Sequence, residues 1–350
     1  MPTVEELLDA PARLLHEMDV AGGRLRFLPV ARNLLERANF LDGRAPIAIG
    51  DPIDVGVDQA LATPLARPSA PDRYIFHVSF CGSTLLTRML EQPGKVFALR
   101  EPHCLVTLAD WKAKHAPRGS DAVGPLADFA RAALRARWRP REAVLVKPSN
   151  WANNLLRELT ASPAMIRPLF VGIAPRAFLR AVFRGNRERL AFTIHAAQHL
   201  AKARDSDGAQ LAAAVAVGDP LEKGARIALL ALHIQLRDFR GVMAAGGWDA
   251  GHMLSYEDIV GAPFEAAQAA NTALALGLTA NEIADGIVRS AHRNAKIAGR
   301  DFLPEQQDGV NDAVEHGNGR HFDAALAWAE ATLPEWDAVA IGDRSASAFG

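Results

Sequence analysis

Two hydrophobic regimes alternate along the chain. Five short apolar runs stand out: Tyr74 to Val78, Lys95 to Leu99, Ala143 to Val146, Pro168 to Ile173 and His252 to Tyr256. Each is β-prone and too short for a stable helix, which predicts strands buried on both faces. Between them, apolar residues recur at helical spacing. Leu85, Leu86, Met89 and Leu90 predict a helix that Pro93-Gly94 stops. Leu126, Phe129, Ala133, Leu134 and Trp138 predict a second, and Trp151, Leu155, Leu156 and Leu159 a third. Pro175 opens a fourth at its favoured first position, with Phe178, Leu179, Val182 and Phe183 facing inward. Residues 186–246 read as mostly helical, with an Ala-rich segment and a polar loop at Arg204 to Gly208, and two more helices start near Pro263 and Thr279. Strands alternating with helices predict an α/β fold: a mainly parallel five-stranded sheet covered by helices on both faces.

The first 72 residues read differently. Val4, Leu7, Leu8, Leu14, Leu15 and Met18 share one helical face, interrupted by Pro11 and ended by Gly22-Gly23. A second helical stretch follows from about Pro29 to Asn39. Five prolines between residues 43 and 72 then predict an extended connection with a short helix near Val57 to Ala62. The expectation is a helical arm over 1–72 packed on the core and carrying no chemistry. An α/β domain over 73–350 follows, with a helical insert at about 186–246 and a helical C-terminal extension.

The chemistry is expected at strand exits. Phe80-Cys81-Gly82-Ser83-Thr84 joins the first strand of this domain to a helix. Such a turn aims several backbone N–H groups and the positive end of a helix dipole at one point, a place for a phosphate or sulfate. Gly82 lets the backbone approach closely, and the Ser83 and Thr84 hydroxyls add donors. No lysine follows Gly82, so the loop is not a Walker A. Cys81 either gains acidity from the dipole or simply fills a tight turn. Right-handed crossovers place strand C-terminal ends along one edge, which brings Cys81 to Thr84, Glu101, Lys147 and Arg176 to a common address.

Composition narrows the partners. With 350 residues, 49% of them hydrophobic, the chain can bury a large core. Its net charge of −1 gives no bulk attraction to nucleic acid or to an anionic membrane. There are two cysteines, no secretory pattern and no apolar run of membrane-spanning length, which together predict a reduced, cytoplasmic location. His195 and His199 stand four apart, but no His-Glu-x-x-His pattern or third ligand accompanies them, so no metal is expected.

Several motifs then agree in order and spacing over residues 74–278. Gly82-Ser-Thr-Leu-Leu86 resembles the phosphosulfate loop of the PAPS-dependent sulfotransferase superfamily. Arg100-Glu-Pro102 follows one strand later and Lys147-Pro148 after the next. Ile173-Ala-Pro-Arg-Ala-Phe-Leu-Arg-Ala181 resembles the segment that holds the nucleotide 3′-phosphate. Leu254-Ser-Tyr-Glu-Asp-Ile-Val-Gly-Ala-Pro263 with Leu276-Gly-Leu278 resembles the family's Tyr-Glu-Asp-Leu-x-x-x-Pro and Leu-Gly-Leu pair.

The resemblance, to a divergent bacterial-type member, implies transfer of a sulfuryl group from 3′-phosphoadenosine 5′-phosphosulfate to a hydroxyl or amine of a small-molecule or conjugate acceptor. It implies Glu101 as base, with His103 in reserve, and Lys147 on the bridging oxygen. Cys81, Gly82, Ser83, Thr84 and Leu85 would hold the 5′-phosphate. The family's loop base is replaced here by Phe80, and its 3′-phosphate arginine and serine by Ile173 and Ala181. Arg176, Arg180 and Arg184 share one helix face and either replace those contacts or are solvated. Lys296, with Arg293 and Arg300, belongs to a late basic segment that would close over the nucleotide. Glu257 and Asp258 are expected to be structural, in a turn leading away from the chemistry. The competing readings are a non-catalytic anion-binding relative and a P-loop kinase or NTPase.

Overall fold

The structure is a computed structural model that describes residues 2–117, 121–184, 187–291 and 304–336. Three strands come first: β1 (Arg13–Asp19), β2 (Arg24–Pro29) and β3 (Ile53–Gly56). Five follow: β4 (Asp72–His77), β5 (Val96–Arg100), β6 (Ala143–Lys147), β7 (Ile166–Gly172) and β8 (Met253–Ser255). The last five form one sheet in the order β5-β6-β4-β7-β8, every neighbouring pair parallel. Tyr74, Ile75, Phe76 and His77 are all buried in succession, as a strand covered on both faces requires. Stacked rings tie the sheet to its cover: Phe76 lies 5.7 Å from Phe170, and Phe170 lies 5.2 Å from Phe239.

Helices fill the intervals. The N-terminal region carries α1 (Val4–Asp9), α2 (Arg32–Arg37) and α3 (Val57–Ala62). The sheet connections carry α4 (Ser83–Leu90), α5 (His103–His115), α6 (Val123–Leu134), α7 (Leu156–Leu159) and α8 (Pro175–Phe183). The insert is α9 (Arg187–Leu200), α10 (Asp205–Val215) and α11 (Pro220–Gly246), and α12 (Tyr256–Gly261), α13 (Pro263–Ala273), α14 (Ala280–Ala291) and α15 (Pro304–Thr332) follow among the described residues. The segment 204–208, expected as a loop, instead starts α10. Asp205 and Asp207 stand in its first turn, where carboxylates suit the dipole, and Asp207 is buried against Arg237 at 2.6 Å. The helix expected from Trp151 is a 3₁₀ turn (Asn150–Leu155) leading into the short α7. No helix among the described residues is long and apolar enough to cross a membrane.

The N-terminal region corrects the expectation of a helical arm. Only α1 forms from the helix read over 4–18, and β1 and β2 pair antiparallel, with β3 on the other edge of β2. The reason is a bulge. Register shifts between Leu15 and Glu17, so His16 is the extra residue. Leu14, Leu15 and Met18 are therefore buried at a spacing that imitates a helix. β2 keeps a clean alternation, with Leu25, Phe27 and Pro29 inward, after the double glycine of a turn. This small sheet shares one apolar core with the large one. Phe27 meets Phe129 of α6 edge-on at 6.4 Å, and the Met18 N–H donates to Thr107 of α5 at 2.9 Å.

One topological feature positions the site. The chain leaves β4 toward β5 on one side and leaves β7 toward β8 on the other. β4 and β7 are neighbours, so the crevice between their C-terminal ends is the switch point where open α/β sheets bind ligands.

Candidate functional site

The loop leaving β4 is built as an anion cradle. Gly82 is the N-cap of α4 at φ 76°, a left-handed conformation that glycine adopts freely, and no side chain caps this helix. The Ser83 N–H meets the Cys81 thiol, and among the described residues no N-cap side chain takes the N–H groups that follow it, which leaves those for an outside acceptor. A Cβ on Gly82 would stand 3.3 Å from the ring of Tyr256 and 3.5 Å from Ile259. α12 therefore closes one side of the loop, so the Tyr256-Glu257-Asp258 turn lies beside the site and not away from it. Asp258 is structural as expected: it forms a capping box with Ser255. Glu257 reaches the start of α8, accepting from the Ala174 N–H at 3.4 Å, and burial raises its pKa above the usual carboxylate range.

Cys81 proves to be a turn filler. Its thiol is buried and donates to the Val78 carbonyl at 2.9 Å, and burial pushes its pKa up to about 11, outweighing the neighbouring Ser83 donors. Ser83 and Thr84 are almost wholly buried at the start of α4, and the Ser83 carbonyl accepts from Thr87. Leu85 is partly buried and packs against the core.

Glu101 and Lys147 meet, as their shared address predicts. The Lys147 side chain is completely buried, and its ammonium donates to Glu101 Oε1 at 2.7 Å. Glu101 keeps 16% of its side chain accessible, so the pair has one dry end and one end open to solvent. Two backbone features hold it. The Glu101 N–H donates to the Lys147 carbonyl at 2.6 Å, and Glu101 itself takes φ 57°. Phe80, in the anion loop, takes φ 63°. Left-handed backbone costs a non-glycine residue about 1–2 kcal/mol, and both strained residues flank the same crevice. Arg100, the residue before Glu101, is not its partner. Its guanidinium is buried, pairs with Glu91 and donates to the Ala38 carbonyl at 2.7 Å and the Glu36 carbonyl at 3.0 Å.

Three participants were not legible in the sequence. His77, the last residue of β4, lies 3.1 Å from the Lys147 ammonium through Nε2, while Nδ1 stands 2.8 Å from the Val78 carbonyl. The ring stands between two backbone carbonyls: it donates to Val78 when the proton is on Nδ1, with Nε2 accepting from Lys147, and to Pro148 when the proton is on Nε2. The Pro148 carbonyl is 2.9 Å from the same Nε2. Phe40 lies over the ammonium at 5.6 Å, a cation–π contact that brings the N-terminal region into the site. Arg189 of α9 stands over the Phe80 ring at 5.2 Å and donates to the Ala181 carbonyl at 3.1 Å. Among the described residues no carboxylate pairs with it. Strand-end position could have singled out His77, but Phe40 and Arg189 reach the site from sequence-distant segments with no local signature.

The remaining expected residues lie elsewhere. His103 turns to the N-terminal sheet, its ring 4.9 Å from His16 and its backbone N–H on the Leu41 carbonyl. The basic face of α8 is partly exposed and already engaged by acceptors. Arg176 pairs with Glu315 and Asp323, Arg180 with Glu315, and Arg184 donates to Asn311, all on α15. Lys296 lies outside the described residues. His195 is exposed while His199 is buried against Trp151 at 4.3 Å, so the two do not converge. Compared with protein-family models, with curated proteins and with solved structures, the chain matches none.

Proposed function

We propose that this protein is a sulfotransferase-like enzyme, transferring a sulfuryl group from 3′-phosphoadenosine 5′-phosphosulfate to a hydroxyl or amine acceptor. The observation that carries the reading is the buried Lys147 ammonium, held by Glu101 beside an uncapped helix start at the switch point of the sheet. The three demands of the reaction each have a group. The loop N–H groups from Gly82 to Thr84 take the 5′-phosphate. Glu101 accepts the acceptor's proton as the new bond to sulfur forms. The bond from sulfur to the phosphate oxygen breaks with its electron pair on that oxygen, where Lys147 supplies positive charge in a water-poor setting. Arg189 brings a guanidinium to Phe80, the loop position where the resemblance lacks its basic residue.

One observation favours a second reading, an anion-binding relative without sulfonate transfer. Arg176, Arg180 and Arg184 are already engaged by α15, which leaves the 3′-phosphate without an obvious arginine. Calorimetric titration with 3′-phosphoadenosine 5′-phosphate, against 5′-AMP and magnesium-ATP, separates the two. The proposal expects binding that depends on the 3′-phosphate and weakens at least tenfold in Lys147→Ala. Equal affinity for 5′-AMP supports the second reading. Preference for magnesium-ATP, or no nucleotide binding, overturns the sulfotransferase assignment.

A further inference from the structure

The opposite edge of the same sheet carries a second concentration of positive charge. A cavity of about 460 Å³, within the size range of small-ligand pockets, opens beside the N-terminal ends of β4, β5 and β6. Its basic walls are Arg73, Lys95, Arg137 and Arg141, and its one carboxylate is Glu142. That carboxylate is fully buried and already forked by Arg32, at 2.6 and 3.0 Å. Lys95 pairs with Glu282 at 2.6 Å. Among the described residues, Arg137 and Arg141 have no hydrogen-bond or ion-pair partner.

Arg73 is fixed in place by neutral acceptors. Its guanidinium donates to the Leu274 carbonyl at 3.0 Å, the Ala275 carbonyl at 3.1 Å and the Pro71 carbonyl at 3.4 Å. Ala275 adopts φ 49° in the turn that presents two of these carbonyls, a strained conformation for a residue with a side chain. Arg73 also stands directly across the β4–β7 ladder from Arg167, and like charges in register destabilise a sheet. Burial, followed by Arg137 and Arg167, lowers the Arg73 pKa, with Asp72 alone opposing them. The chain as a whole carries a net charge of −1, so this crowding of guanidinium groups is local.

We propose that this cavity is a second anion site, one that takes a small ligand bearing two or more phosphate charges. Guanidinium groups bind phosphate through paired N–H donors: Arg137 and Arg141 offer such forks, and Arg73, whose nitrogens already donate to carbonyls, adds fixed positive charge. The concave shape favours a compact oligophosphate over an extended polyanion, which needs a groove or stripe to follow. The site is distinct from the anion loop: the two lie at opposite ends of β4, six residues long and so roughly 20 Å apart.

Titration of the full chain with inorganic pyrophosphate at low salt tests this. The expected result is at least a tenfold loss of affinity at one site in Arg137→Ala/Arg141→Ala, with no comparable loss in Arg37→Ala, an exposed arginine that does not line the cavity. If the anion loop also takes pyrophosphate, stoichiometry falls from two to one; if not, from one to none. Arg141→Gln, at an exposed position, gives the same test with a smaller, severalfold loss should the double variant not fold. Pyrophosphate binding that the cavity variants leave unchanged, or none at all, overturns the proposal. Cavity-dependent binding of an oligonucleotide without pyrophosphate binding overturns it in favour of a nucleic-acid surface.

Discussion

Two sites at opposite ends of the parallel sheet handle positive charge in opposite ways. At the C-terminal edge one lysine is completely buried and has a carboxylate, an imidazole and an aromatic face around it. At the N-terminal edge several arginines crowd around an open cavity, held by carbonyls or by nothing. Desolvation accounts for the difference. Burying an ammonium costs several kcal/mol unless it is paired, so Lys147 cannot exist without its neighbours. Partly exposed guanidinium groups keep their hydration and tolerate one another at modest cost, which leaves them available to a ligand. A charge that must be partnered by the protein becomes architecture. A charge that water can satisfy remains free for binding.

The sharpest way to break this contrast is to strip Lys147 of its partner. Glu101→Ala leaves an uncompensated buried ammonium and should cost about 3–5 kcal/mol in chemical denaturation. Replacing both residues, as Lys147→Met with Glu101→Leu, should cost clearly less than the two single changes combined. A loss below about 1 kcal/mol for Glu101→Ala would mean that water reaches the ammonium, and the contrast would collapse.

A second test uses a buried group that has no partner. His233 on α11 is fully buried with both ring nitrogens unpartnered among the described residues, 6.1 Å from Trp336. Burial lowers its pKa to about 4, aided by Arg237 and opposed by Asp207 and Asp238. The unfolded chain, with an ordinary histidine near 6.5, therefore binds the proton more tightly than the folded one. The contribution of His233 to stability is present above pH 6.5 and is lost as pH falls toward 4, by up to about 3 kcal/mol. The denaturation midpoint of wild type should fall relative to that of His233→Leu as pH drops through that window. Parallel curves would show that the ring is not the titrating group.

Smaller effects sharpen the site itself. Gly82→Ala forces a side chain into φ 76° against Tyr256 and should cost about 1–2 kcal/mol, with a larger loss in anion affinity because the N–H groups are re-aimed. Glu315→Gln should change stability by less than about 1 kcal/mol, as partly exposed ion pairs do. It frees Arg180 and leaves Arg176 with Asp323 alone, however, so affinity for 3′-phosphoadenosine 5′-phosphate should rise severalfold if α8 serves the 3′-phosphate. Unchanged affinity in calorimetry would remove these arginines from the nucleotide site.

Legibility in the sequence followed the distance over which the determining contacts act. All five core strands were readable because each is a short continuous apolar run, a pattern that only a doubly covered strand needs. The common edge of Glu101 and Lys147 was readable from the right-handed crossovers, whereas the pairing of their strands, with Arg100 and Lys147 in register, was not. β1 was not readable because its bulge at His16 breaks the two-residue period and leaves a helical spacing in its place. The occupation of Arg176, Arg180 and Arg184 was hidden for another reason. Their partners on α15 lie more than 120 residues away, and polar side chains on a long helix carry no sign of what they will face.

By itself the sequence determined the local plan: the strand and helix periods of the α/β core, the glycine turn at Gly82, and the edge on which Glu101 and Lys147 emerge. These follow from backbone sterics and from apolar spacing, which act over a few residues. Tertiary structure alone decided which charges are satisfied and which are left open. It brought His77, Phe40 and Arg189 to the crevice, covered the arginines of α8 with α15, and gathered Arg73, Arg137 and Arg141 around a cavity with no acid to spare. The physical reason is that pairing and desolvation depend on neighbours in space, and those neighbours come from segments far apart in the chain.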